Sequence, residues 1–95
     1  MALIDRDTFD AAKARAAAEW RARGDGETAA LFAALEHERC GFGLQSGMRV
    51  CWRTVSGRRI GMLFGLEDGG YLRSFVYRPA AEPPGARTEG PRPPA

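Results

Sequence analysis

All six prolines of this 95-residue chain lie between Pro79 and Pro94. Proline removes a backbone donor and fixes φ, so helix interiors and central strands exclude it. Any packed domain must therefore be built from residues 1–78, and residues 79–95 are expected to form a disordered, Pro-rich tail. A core of that size supplies only a few kcal/mol, so pairing with a second copy or a partner is a natural expectation. A deep catalytic cleft needs more scaffold than this.

Charge is equally uneven. Residues 1–40 carry eight acidic groups against six basic ones, whereas residues 41–78 carry six arginines against Glu67 and Asp68, a local charge of +4. The overall charge of +2 says little, but fields follow the distribution of charge as well as its sum. Residues 1–7 lack a basic start followed by an apolar run, and no stretch approaches the roughly 20 apolar residues of a membrane span. The expectation is a cytoplasmic protein, without a membrane, whose Cys40 and Cys51 stay reduced.

The first half reads as two helices. Asp5 is placed as an N-cap with Ile4 and Phe9 at the positions of a hydrophobic staple, and Phe9, Ala12, Ala16 and Trp20 recur on one face. The pattern predicts a helix over 6–23, stopped by Gly24-Asp25-Gly26. Asp25 caps a second helix predicted over 26–39, with Leu31, Ala34 and Leu35 as its apolar stripe. The short connection predicts an antiparallel pair.

The second half reads as strands. Residues 41–47, with three glycines, are expected to be a loop, and strands are predicted over 48–55, 59–66 and 71–78, separated by Gly57 and by Asp68-Gly69-Gly70. A Ser56-Gly57-Arg58 loop would set Val50 opposite Phe64 and Trp52 opposite Met62. Met48, Val50, Trp52, Ile60, Met62, Phe64 and Leu66 then form the core face, and Arg49, Arg53 and Arg59 share the other. The third strand has two registers. A two-residue Asp68-Gly69 turn, the stronger signal, puts Tyr71, Phe75 and Tyr77 inside. A three-residue loop puts Leu72, Ser74 and Val76 inside and sends Tyr71, Arg73, Phe75 and Tyr77 out beside the arginines. Ser46 to Trp52, with Gly57-Arg58-Arg59 and Asp68 to Tyr71, resembles the opening hairpins of SH3-like small barrels, whose further strands are missing here because Pro79 stops the pattern.

Motifs for chemistry are sparse. The glycines from Gly41 to Gly47 miss the dinucleotide-loop spacing and stand between a helix and a strand rather than before a helix. His37, Cys40 and Cys51 fall short of a zinc set, which needs a fourth ligand. A cysteine nucleophile would have His37 as its base and no orienting third group. No catalytic residue, metal ligand or cofactor is therefore assigned.

The sequence predicts an α+β fold: an antiparallel helix pair on one face of a three-stranded antiparallel meander. It predicts a small non-catalytic binding module. Arg49, Arg53, Arg59, Arg73, Tyr71 and Tyr77 are its candidate site, with nucleic acid or an acidic protein surface as the partner. A protein-interaction or homodimerisation module using the same face is the alternative, since exposed arginine among apolar residues also suits interfaces. An Arg-rich face that blocks edge-to-edge pairing is the structural explanation of the same residues.

Overall fold

The computed structural model describes residues 3–78, so the expectation for 79–95 lies outside the described residues. Two helices, α1 (Arg6–Ala22) and α2 (Gly26–Ala33), precede a single 3-10 turn at His37–Arg39. Four strands follow, β1 (Gly41–Gln45), β2 (Met48–Val55), β3 (Arg58–Gly65) and β4 (Tyr71–Tyr77), each paired antiparallel with the next in the order β1-β2-β3-β4. The class is α+β as expected, with four strands in place of three. Among the described residues the sheet is an open meander, not the closed barrel that the hairpins resemble.

The helix ends follow the sequence closely. Asp5 Oδ1 accepts the Thr8 backbone N–H at 2.7 Å, and Ile4 and Phe9 are buried as the staple requires. Gly24 takes φ +86°. Its N–H reaches the Arg21 carbonyl while that of Asp25 reaches Trp20, the paired bonds of a Schellman motif. Asp25 then caps α2, accepting the backbone N–H and the hydroxyl of Thr28 at 3.0 and 2.7 Å.

Helix α2 stops at Ala33, short of the expected residue 39. The break lets Leu35 enter the core and brings His37 back to α1, where its Nε2 lies 2.7 Å from the Ile4 carbonyl and its ring meets Phe9 edge-on at 5.2 Å. Tertiary contacts here override the helical periodicity.

Both cap carboxylates are held below the usual Asp range, chiefly by the backbone N–H groups of Thr8 and Thr28. A depressed folded-state pKa gives stability that is full above the unfolded value and is lost as pH falls through the folded one. The melting temperature should therefore drop on acidification below about pH 4. The double variant Asp5→Asn, Asp25→Asn keeps cap-competent oxygens and should show a smaller drop in melts from neutral to acid pH. An unchanged drop would assign the acid sensitivity elsewhere.

The sheet departs from expectation at three points. Residues 41–45 form β1 because Ser46-Gly47 is a two-residue turn with positive φ at both positions (53° and 75°), and Gln45 closes it opposite Met48. Ser56-Gly57 repeats that turn (53° and 76°) with Val55 opposite Arg58. The expected three-residue Ser56-Gly57-Arg58 loop is therefore wrong by one residue. Val50 faces Leu63 and Trp52 faces Gly61, so the two faces of β2 are exchanged. Cys51, 0 % exposed, points to the helices, while Met48, Val50 and Trp52 stand on the opposite face.

The third departure is in β4. Its connection from β3 runs through residues 66–70, with the Gly69 N–H on the Gly65 carbonyl and the Gly65 N–H on the Gly70 carbonyl. The pairing then shifts between Leu63, opposite Arg73, and Phe64, opposite Tyr71, which leaves Leu72 as a bulge. The bulge splits the two anticipated registers. Tyr71 points inward, its hydroxyl donating to Glu19 at 2.8 Å, and so does Ser74, which accepts from Trp20 Nε1 at 2.8 Å. Beyond the bulge, Arg73, Phe75 and Tyr77 point away from the helices.

The core joins Phe9, Phe32 and Leu35 to Cys51, Ile60, Met62 and Phe64, all 2 % exposed or less. Trp20 stacks on Phe32 with centroids 6.3 Å apart and planes 10° apart. The helices contribute these large rings, so a small Cys51 suits the β2 position beneath them and the bulky Trp52 falls on the other side. Among the described residues, the face of the sheet opposite this core carries no covering element.

Candidate binding face of the sheet

The uncovered face is ordered in rows that run across the strands. One row is Gly41, Trp52, Gly61 and Phe75, a glycine and an aromatic alternating over all four strands. The adjoining row is Gly43, Val50, Leu63 and Arg73, and on the other side Arg59 stands opposite Tyr77. Val50 and Leu63, 5 % and 6 % exposed, make the floor. Except for Gly41 and Gly61, these residues line a shallow concavity of about 590 Å³, rimmed by Met48 and by the β1–β2 turn.

The glycines determine where the rings lie. A Cβ at Gly41 would stand 2.6 Å from Cε2 and Cζ2 of Trp52, and one at Gly43 would stand 3.5 Å from Cζ3. The indole thus reaches over β1 and occupies the space that two side chains would fill. A Cβ at Gly61 would collide with the Phe75 ring and with the Cys51 carbonyl oxygen. Phe75 therefore rests over β3 as Trp52 rests over β1, and it stacks on Tyr77 at 6.1 Å with planes 23° apart. Trp52 and Phe75 keep intermediate exposure and Tyr77 is half exposed, so ring surface remains open to solvent.

Both arginines of this face lie at its ends, on adjacent strands. Arg59 donates from Nε to Thr54 Oγ1 at 3.1 Å. Arg73 is exposed opposite Leu63, four residues along β3 from Arg59 and hence about 13 Å away along the strands. No carboxylate occupies an outward strand position. The nearest, Asp68, sits at the Gly65 end, where its Oδ1 accepts the Gly70 N–H at 2.9 Å.

The six residues expected to form one site are divided between the two faces. Arg59, Arg73 and Tyr77 come together on the open face. Arg49 and Arg53 do not join them, because the two-residue turn at Ser56-Gly57 rotates β2. Arg49 instead reaches the Gly65 carbonyl at 3.5 Å, and Arg53 lines a small groove with Leu31, Leu35, Glu36 and Arg39. Tyr71 is turned inward by the Leu72 bulge, and burial together with its bond to Glu19 pushes its hydroxyl pKa up. The sequence pattern puts Trp52 in the core, and Phe75 too in the register that the Asp68-Gly69 signal favours, yet both belong to this face. The repeated Ser-Gly dipeptides, bracketing eight strand residues, were the signal that could have placed Trp52 there.

The cysteines offer little nucleophilic character as folded. Burial pushes the Cys51 thiol up to about 12 and raises that of Cys40, and a thiolate at either position would need that burial relieved. Among the described residues no group of three or more His, Cys, Asp or Glu side chains converges as a metal site, and no helix is long and apolar enough to cross a membrane. No family model, curated protein or solved structure matches the chain.

Proposed function

We propose that this protein is a small non-catalytic binding module that holds nucleic acid on the open face of its sheet. The observation carrying this reading is the pairing of Arg59 and Arg73 with Trp52, Phe75 and Tyr77 around one concavity whose lining includes no carboxylate. Arginine forks suit phosphate, and aromatic rings suit bases. An acidic protein surface is the second reading. It is favoured by the Trp, Tyr, Phe, Met and Arg composition, typical of protein interfaces.

Binding measured by fluorescence anisotropy against salt tests the proposal. Two phosphate contacts imply a slope of log K against log salt of roughly −1.4 for a single strand. Arg59→Ala and Arg73→Ala should each weaken binding about tenfold and reduce that slope. Arg53→Ala, on the far face, should change neither. Equal effects of all three variants, or none, would contradict the assignment.

A further inference from the structure

The row Gly41, Trp52, Gly61, Phe75 has a property that phosphate binding alone does not require. Each ring occupies the place of a neighbouring strand's missing side chain, so it lies low on the sheet and keeps surface open to solvent. Trp52 and Phe75 stand two strands apart in one row, about 10 Å at ordinary strand spacing. Tyr77 continues the second platform through its stack on Phe75. Arg59 and Arg73 flank this row on either side.

We infer that the ligand is single-stranded nucleic acid whose unpaired bases stack on Trp52 and on the Phe75–Tyr77 pair while Arg59 and Arg73 hold the backbone. The inference rests on the proposed function and sharpens it. A duplex keeps its bases stacked on one another and presents phosphate and groove edges, so it could use the arginines but not the rings. Unpaired bases can be splayed onto aromatic side chains of an open four-stranded sheet. Stacking tolerates every base because each has a π-face, so the expected sequence preference is weak.

The test compares a mixed-sequence single-stranded oligonucleotide, as DNA and as RNA, with the duplex of the same sequence. Anisotropy of the labelled strand and tryptophan emission of the protein are the two readouts. The single strand should bind at least about tenfold more tightly than the duplex and quench tryptophan emission, as one stacked base is sufficient to produce. Trp52→Leu should abolish most of the quench and lower single-strand affinity about tenfold, a clearly larger loss than for the duplex. Gly41→Ala keeps every ring but displaces the indole, and it should weaken the single strand as well. That variant decides the matter if Trp52→Leu fails to fold. Equal affinity for both forms, with Arg59→Ala still weakening them and Trp52→Leu and Gly41→Ala without effect, would overturn the stacking inference and leave the binding face intact. No binding of either form would overturn both.

Discussion

Gly61→Ala should unfold more of this protein than any single surface change, lowering its stability by about 3 kcal/mol. Gly61 lies buried in the middle of β3, and its missing side chain makes room for the Phe75 ring and for the Cys51 carbonyl. A ring can swing aside, but a backbone carbonyl in a paired strand cannot move without breaking the ladder. The same substitution at Gly41 meets only the far end of the Trp52 side chain. Gly41→Ala should therefore cost less than about 1 kcal/mol, with the indole displaced. For a domain this small, 3 kcal/mol corresponds to a fall of roughly 12–24 °C in melting temperature. Thermal melts of the two variants give the comparison directly. Similar melting points for both would mean that Gly61 has more room than the sheet geometry allows.

Phe9→Ala is expected to cost about 4 kcal/mol, most of the roughly 5 kcal/mol available to a domain of this length. Phe9 is 0 % exposed. It closes the staple with Ile4 at the start of α1, meets His37 edge-on, and lies 6.5 Å from Phe42 of β1. Its removal leaves a cavity where α1, the 3-10 turn and the first strand meet, and none of those elements can collapse into it without leaving its other contacts. Urea unfolding should show a midpoint far below wild type with a cooperative transition retained. Phe9→Leu, which restores most of the volume, should recover at least half the loss. A variant as stable as wild type would place the centre of the core elsewhere.

Local signals placed the helices well, and the strands only in part. The Asp5 and Asp25 caps and the Gly24 stop are chemical signals read within a few residues, and the structure has all three where the sequence puts them. The end of α2 was not legible, because it depends on His37 finding the Ile4 carbonyl far away in sequence. The strand faces depended on two turns. Ser56 takes a positive φ that is unusual for serine, and the two-residue turn it makes with Gly57 matches strand twist better than the expected three-residue Ser56-Gly57-Arg58 loop. That single residue moved Trp52 from the core to the open face and separated Arg49 and Arg53 from Arg59. The Leu72 bulge then split a choice that had been posed as one register or the other. A bulge leaves no mark in an alternating pattern, so Tyr71 and Phe75 could not be assigned to opposite faces in advance. The local excess of arginine was legible and its spatial focus was not: of the six arginines from Arg49 to Arg78, the open face gathers Arg59 and Arg73.

The central claim is that ligand binds the face opposite the helices. The two tryptophans mark the two sides of the sheet: Trp20 donates its indole N–H to Ser74 beneath the helices, and Trp52 lies on the open face. Their indole resonances in a proton–nitrogen correlation spectrum, followed while a single-stranded oligonucleotide is titrated in, report on each side separately. The Trp52 indole signal should shift or broaden with the titration while that of Trp20 stays in place. Movement of Trp20 with Trp52 unchanged would contradict the account and assign the binding surface to the helical side.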